Sequence, residues 1–263
     1  SHAKHWPPWS MNGNVAAGSH ILTKAALRKG MELAQMVLQR EAAALQAQAN
    51  KLCAQQAVQD RLQEALYISA KYTQDMQGKM VLVGVGKSGL VARKIAATLT
   101  SVGVPAIYLH PIGSMHGDLG LVIPGSDVIM VLSYSGNTPE IHAFLQLEQV
   151  QKCTRIVMTA NASSALIPLA DVWLDCSAAE PLKDTKSSTE SEAWPAIPAP
   201  TSSTTLMMAL GDAFALALVQ IQGLTCTTFA KNHPGGHLGK ILKEYQPADH
   251  RDIGEVSRVK REE

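Results

Sequence analysis

The chain has 263 residues, of which 46% are hydrophobic and 17% charged, enough for one sizeable α/β core with a helical extension. Its formal net charge of +1 gives no global field that would attract nucleic acid or an anionic membrane, so we expect neither as a partner. The four cysteines form no CxxC pair and match no zinc-ligand spacing, which predicts reduced thiols and a cytoplasmic location. No apolar run reaches the ~20 residues that a membrane-spanning helix needs.

The first part of the chain predicts a leader followed by helices. Residues 1–20 hold Trp, Pro, Gly and Asn without the apolar segment of a signal peptide, which predicts a flexible leader. Residues 21–77 contain no Pro and repeat apolar residues at helical spacing, so we predict two N-terminal helices with a break near 50–56. We interpret their apolar stripes as packing surface, part of it against a second subunit.

From Gly78 onward, short apolar runs alternate with helix-compatible sequence. We predict strands at 80–83, 104–109, 127–133, 155–159 and 171–175, with helices at 87–101 and 138–150. Because the strand runs lack strict alternation, they suit a parallel sheet buried on both faces. The strand–helix order predicts an α/β fold with a doubly wound, five-stranded parallel sheet flanked by helices.

The alternation stops at residues 177–200, where Ser, Thr, Lys, Glu and Pro predict a loop that is mobile for much of its length. Residues 201–222 predict a long apolar helix, and the charged residues 244–263 predict a peripheral C-terminal tail. The principal domain is therefore expected at 78–243.

The segment Gly-Val-Gly-Lys-Ser-Gly at 84–89 follows the first strand and opens a helix. It matches the dinucleotide fingerprint, but the Tyr-Leu-His-Pro stretch after the second strand lacks the acidic residue that binds the ribose. A P-loop fails as well, because Val81 stands where that motif needs a glycine. Gly86, Lys87 and Ser88 still suit an anion at a helix N-terminus, and the alternative is a tight turn without a ligand.

A second polar loop, Ser-Tyr-Ser-Gly-Asn-Thr at 133–138, follows the third strand. Ser133, Ser135, Asn137 and Thr138 could hold phosphate oxygens, and the alternative is simple helix capping by Ser135 or Thr138. Ligands of open α/β sheets bind at the carboxyl ends of the strands, so two such loops on neighbouring strands favour one shared pocket. We expect it to bind phosphate without a metal or cofactor.

A third hydroxyl cluster, Thr201, Ser202 and Ser203, stands at the start of the long apolar helix. Capping of that helix and a contribution to the same pocket are both open interpretations.

Four residues are candidates for proton transfer. His116 and His233 lie in Gly- and Pro-containing segments, and the ordinary pKa of histidine lies near neutrality. Glu140 follows the second polar loop, and Glu192 lies at the end of the 177–200 loop. The histidine spacings support no metal site.

With these segments in order, the chain resembles the SIS (sugar isomerase) family, and within it the D-arabinose 5-phosphate isomerases. The matches are Gly-Lys-Ser-Gly at 86–89, His-Gly-Asp-Leu-Gly at 116–120, Ala-Pro-Thr-Ser-Ser-Thr-Thr at 199–205, and His-Pro-Gly-Gly with Leu-Gly at 233–239. The resemblance spans about 79–242 and is weaker upstream.

The resemblance implies interconversion of D-ribulose 5-phosphate and D-arabinose 5-phosphate through an enediol, in carbohydrate metabolism. Lys87 matches the family's active-site lysine, and His116 and His233 match its two functional histidines. Glu140 and Glu192 match two family glutamates. We rank Glu192 or His233 first as the base and Glu140 after them. The resemblance also implies a homo-oligomer, a tetramer or a dimer, with sites at subunit interfaces.

Three departures from the family pattern leave alternatives open. Asn137 stands where relatives often carry an acidic residue, Gly113 where bacterial relatives often have Glu, and the stretch 177–191 is longer than usual. The alternatives are a non-catalytic regulator that binds sugar phosphate, and another SIS isomerase, for example one acting on hexulose 6-phosphate.

Overall fold

The computed structural model describes residues 23–178 and 191–235. The predicted leader, the C-terminal tail and most of the 177–191 stretch therefore lie outside the described residues, as do positions 236–239 of the last matching segment. The chain enters the described part through Thr23, whose side-chain oxygen accepts a hydrogen bond from the Ala26 N–H at 3.0 Å and caps the first helix.

The N-terminal region forms two helices, as predicted. Helix α1 spans Lys24–Ala54 and helix α2 spans Gln56–Ala70, with the break at Gln55, whose backbone is extended. A π-helical turn, Lys71–Asp75, follows α2. The prediction of a break near 50–56 is confirmed.

The centre of the fold is a five-stranded, all-parallel sheet, as the apolar runs predicted. Its strands are β1 Met80–Gly84, β2 Ala106–Leu109, β3 Val128–Leu132, β4 Thr154–Thr159 and β5 Val172–Asp175. The spatial order is β2-β1-β3-β4-β5. The chain leaves β1 toward one edge of the sheet and leaves β3 toward the other, so a crevice opens between the carboxyl ends of these two strands.

The helices that follow β1 are α3 Gly86–Val102, α4 Pro111–Ser114, α5 Pro139–Leu145, α6 Glu148–Gln151, α7 Ser202–Ile221 and α8 Cys226–Asn232. Short 3-10 turns occupy Asp118–Leu121 and Ile167–Leu169. The prediction of a single helix at 138–150 was wrong, because Leu147 adopts an extended backbone and packs against the core between α5 and α6. Helices α4 and α8 were not predicted.

The core has two halves, one on each face of the sheet. Met80 and Leu82 of β1 point toward α2, α3 and α7, whereas Val81 and Val83 point toward α5 and α6. All four side chains are fully buried. Burial on both faces explains why the strand sequences show no polar alternation.

Helix α7 is long and apolar enough to cross a membrane by length and composition, which the sequence analysis did not anticipate. In the fold, Leu206, Phe214 and Leu218 are buried in the core. Gly211 lies so close to Ile95 of α3 that an added Cβ would come within 2.2 Å of its side chain. The packing of this inward face accounts for the apolar residues along it.

Candidate functional site

A cavity of about 370 Å³ lies at the carboxyl ends of β1 and β3, in the crevice that the strand order creates. Among the residues predicted from the sequence, it is lined by Lys87, Ser88, Ser133, Ser135, Thr138, Glu192 and Ser203. Its other lining residues are Val85, Tyr134, Pro198, Pro200, Thr204 and Met207. The cavity therefore combines an ammonium group, several hydroxyls and a carboxylate from three separate segments of the chain.

The first polar loop presents the beginning of α3 to the cavity. Gly86 has φ +56°, a left-handed backbone conformation that residues other than glycine rarely adopt. It turns the chain from β1 into the helix. Val85, the N-cap residue, provides no side-chain cap, so α3 begins without one. The first N–H groups of a helix lack partners within the helix and favour an anion. Lys87 is exposed and adds a full positive charge there.

The second polar loop is held rigidly by hydrogen bonds from the residues that follow β4. Asn161 Nδ2 donates to the Ser135 carbonyl at 2.9 Å, and Ser164 Oγ donates to the Gly136 carbonyl at 2.7 Å. Gly136 has φ +67°, and an added Cβ would come within 2.3 Å of Ser164 Oγ. This position therefore requires glycine, and the two hydrogen bonds support the shape of the loop.

The Thr138 hydroxyl of this loop does not act as a helix cap. Thr138 is the N-cap residue of α5, but its side chain makes no cap hydrogen bond. Its Oγ1 lies 2.8 Å from Ser133 Oγ instead, and both residues line the cavity. The capping interpretation of Thr138 is therefore wrong.

Among the described residues, Glu192 is the carboxylate that lines the cavity. It is only 5% exposed, and its Oε2 accepts hydrogen bonds from the Thr201 N–H at 2.7 Å and the Ser203 N–H at 3.3 Å. Thr201 Oγ1 adds a third donor at 3.1 Å. The carboxylate thus accepts hydrogen bonds from backbone N–H groups at the beginning of α7, where negative charge is favourable.

The third hydroxyl cluster does not cap the long apolar helix through Thr201. Thr201 is the N-cap residue of α7, but its side chain makes no cap hydrogen bond and instead contacts Glu192 and the Ala193 N–H. Ser203 lines the cavity, whereas Thr201 and Ser202 are not among its lining residues.

Two other candidates lie outside the cavity wall. Asn137 lines a neighbouring groove of about 330 Å³ with His142. Glu140 is half-buried in the first turn of α5. Neither residue is among those that line the cavity of Lys87 and Glu192.

The two histidines lie elsewhere on the surface of the chain. His116 is exposed between α4 and the following 3-10 turn. The His233 ring stacks on Phe229 at a centroid distance of 4.0 Å, and its Nδ1 lies 2.8 Å from the Phe229 carbonyl oxygen. His233 lines a separate groove of about 630 Å³ with Arg93 and Tyr108. Neither histidine is among the residues lining the cavity of Lys87 and Glu192.

Tyr134 is a cavity residue that the sequence analysis did not single out. It is 8% exposed, and its hydroxyl lies 3.2 Å from Ser191 Oγ, next to Glu192. Burial raises the pKa of the Tyr134 phenol far above its ordinary value, so the side chain is neutral. In the sequence, Tyr134 stands between Ser133 and Ser135, both predicted site residues, and this position could have identified it as a site residue.

A family model described as the SIS domain matches residues 76–217, and the chain belongs to this family. Among curated relatives, arabinose 5-phosphate isomerase KdsD of Pseudomonas aeruginosa is 45% identical over 166 residues, 63% of this chain and 47% of that protein. Arabinose 5-phosphate isomerase GutQ of Escherichia coli K12 is 38% identical over 183 residues, 70% of this chain and 53% of that protein. The chain therefore spans about half the length of the curated relatives it matches.

Among solved structures, that of E. coli CFT073 c3406 in complex with arabinose 5-phosphate has a TM-score of 0.65 and 30% sequence identity. The match covers 81% of this chain and 100% of that chain. These findings confirm the resemblance to the SIS family and to its arabinose 5-phosphate isomerases.

Proposed function

We propose that this chain is an aldose–ketose isomerase that interconverts D-ribulose 5-phosphate and D-arabinose 5-phosphate through an enediol. The observation that carries the proposal is the cavity in which Lys87 and two hydroxyl-bearing loops lie with Glu192. The similarity to KdsD and GutQ, both named arabinose 5-phosphate isomerases, supports this substrate. So does the similarity to c3406, whose structure contains arabinose 5-phosphate.

The phosphate of the substrate binds where the two loops meet. The start of α3 supplies backbone N–H groups, and Ser133, Ser135 and Thr138 supply hydroxyls. Hydrogen bonds to a charged group contribute roughly 1.5–3 kcal/mol each, so four or five hold a phosphate ester without a metal. This anchoring fixes the sugar chain relative to the rest of the cavity.

The proton moves between carbons 1 and 2 of the sugar. A base removes a proton from carbon 1 of the ketose while the carbonyl oxygen on carbon 2 gains a proton, which gives the enediol. The base then returns its proton to carbon 2 while the hydroxyl on carbon 1 loses its proton, which forms the aldose. Glu192 lines the cavity and Glu140 does not, which favours Glu192 as the base. Lys87 stabilises negative charge that develops on a substrate oxygen during the transfer.

We also propose that the chain works as a cytoplasmic homo-oligomer, a tetramer or a dimer. Leu27, Met31 and Leu38 lie along α1 and are 55%, 62% and 69% exposed. A second copy would cover this stripe, and a neighbouring copy could bring His116 or His233 to a cavity that neither histidine lines in one chain. Cys153 and Cys176 are buried free thiols, which suits a reducing compartment.

The proposal is tested by assaying the full chain with arabinose 5-phosphate, ribulose 5-phosphate and hexulose 6-phosphate. We expect turnover of the two pentose phosphates and at least about tenfold lower kcat/KM for the hexose phosphate. Preference for the hexose phosphate would indicate a different SIS isomerase. A rise in melting temperature with pentose phosphate but no turnover would indicate a non-catalytic regulator.

A further inference from the structure

The two residues that flank Glu192 are each held from outside their own segment. On one side, the Tyr134 hydroxyl lies 3.2 Å from Ser191 Oγ. On the other side, Arg40 Nη1 of α1 donates to the Ala193 carbonyl at 3.1 Å. We propose that Tyr134 and Arg40 are positioning residues that fix the Glu192 carboxylate relative to the bound phosphate, an inference that rests on the proposed function.

Tyr134 connects the carboxylate to the phosphate loop because it belongs to that loop. Its carbonyl accepts hydrogen bonds from the Ala160 N–H at 3.0 Å and Thr159 Oγ1 at 3.1 Å, which fixes its backbone to the end of β4. Its ring is buried in the core. The phosphate-binding hydroxyls and the contact to Ser191 are therefore parts of one rigid unit.

Arg40 connects the carboxylate to a helix outside the matched SIS domain. The same helix holds the chain where it leaves β5: Lys51 Nζ donates to the Ser177 carbonyl at 2.7 Å and pairs with Asp175 at 3.0 Å. Both side chains of that ion pair are almost fully buried, at 3% and 2% exposed. Helix α1 thus binds the chain both before and after the part of the 177–191 stretch that lies outside the described residues.

Helix α1 also contacts the element that Glu192 caps. Thr205 Oγ1 in the first turns of α7 donates to Glu41 Oε2 at 3.2 Å. Arg40 and Glu41 are adjacent in sequence. They therefore fix Ala193 and the start of α7 relative to each other. Helix α1 therefore contacts the residue after Glu192, whereas Tyr134 contacts the residue before it.

Phosphate binding and positioning of the Glu192 carboxylate depend on different groups, so their loss should have different effects on kcat and KM. A displacement of about 1 Å in a reacting group can cost ~10²-fold in rate. Phosphate binding depends on the α3 start and on hydroxyls that neither Arg40 nor the Tyr134 hydroxyl supplies. Loss of positioning should therefore lower kcat while leaving KM nearly unchanged.

The test uses the full chain with Tyr134→Phe and Arg40→Met, which remove one polar group each and keep most of the apolar volume. Tyr67→Phe on α2 and Arg28→Met on α1 are matched controls, because both side chains are exposed. We expect Tyr134→Phe and Arg40→Met to lower kcat roughly 5- to 50-fold. We expect KM to stay within about twofold and the controls to match the parent.

Arg40→Lys supplies the conservative rescue, since a lysine reaches the Ala193 carbonyl with one donor, and it should recover part of the lost kcat. The proposal is overturned if both variants keep kcat within about twofold of the parent, or if they raise KM instead. It is equally overturned if kcat falls only in step with a loss of folded protein, measured by circular dichroism. A parent chain that turns over no pentose phosphate would refute the proposed function itself, whereas an active parent with unaffected variants refutes only the positioning.

Discussion

Glu192 combines two properties in one side chain. It lines the cavity, and it also satisfies backbone N–H groups at the start of α7. A carboxylate held by three donors has a fixed orientation, which a base needs and which an exposed glutamate lacks. The same geometry means that a simple loss of activity on mutation would not separate chemistry from helix capping.

Two substitutions at this position separate the roles. Glu192→Gln keeps an oxygen that accepts from the Thr201 and Ser203 N–H groups but cannot take a proton, whereas Glu192→Ala removes both functions. We expect both variants to lose activity ~10²–10⁴-fold. We expect only Glu192→Ala to lose about 1 kcal/mol of unfolding free energy, measured by urea titration.

Equal destabilisation by both variants would show that the charge, rather than the acceptor, holds the start of α7. A Glu192→Gln variant with near-parent activity would remove Glu192 as the base and leave Glu140 and a histidine from a neighbouring copy.

The parallel strands were predictable because a strand that is buried on both faces needs apolar residues at consecutive positions. The polar loops after β1 and β3 were predictable for a related reason, since hydroxyls and glycines directly after buried strands have few structural uses. The interruption at Leu147 was not predictable. Leu, Gln and Glu all favour helices, and the core contact of Leu147 overrides that preference.

The site was only partly predictable. The hydroxyls of both loops and Glu192 reach the cavity as the motifs indicated. His233 could not be placed from sequence, because its position depends on how α8 packs against α3 and on its ring contact with Phe229. Tyr134 was missed because its role depends on a contact with Ser191, 57 positions away in the chain.

The shape of the second polar loop depends on Gly136, which a substitution can test against a glycine in open space. Gly136→Ala forces a side chain into a left-handed backbone against Ser164, so it should destabilise the protein by at least about 1–2 kcal/mol. It should also raise KM for pentose phosphate, because the loop can no longer keep its shape. Gly30→Ala lies within α1, where an added Cβ meets nothing within 4 Å, and should stabilise by roughly 0.5–1 kcal/mol.

Thermal unfolding followed by circular dichroism, together with KM measurements, tests both changes. A Gly136→Ala variant with parental stability and KM would contradict the proposed role of this loop in binding phosphate.

Within the described residues, the apolar stripe of α1 formed by Leu27, Met31 and Leu38 is exposed. Met31→Glu with Leu38→Glu places two charges on the stripe, whereas Gln39→Glu adds one charge about 100° away around the helix. We expect the parent to have a mass above the 28.1 kDa of one chain by light scattering. The double variant should shift to lower mass and Gln39→Glu should not.

A monomeric parent, or a double variant with parental mass and fold, would contradict the role of this stripe in assembly. If dissociation also abolishes turnover while circular dichroism stays unchanged, the cavity needs a neighbouring copy to be complete.

The proposed isomerisation requires proton transfer through an enediol in the cavity between β1 and β3. Incubating the full chain with ribulose 5-phosphate in deuterated water, with NMR to locate the label in the aldose, measures this transfer. We expect deuterium at carbon 2 of arabinose 5-phosphate, with labelling lost in Glu192→Gln. Turnover by the parent without any solvent label would contradict an exchanging enediol base, and unchanged labelling in Glu192→Gln would contradict the role assigned to Glu192.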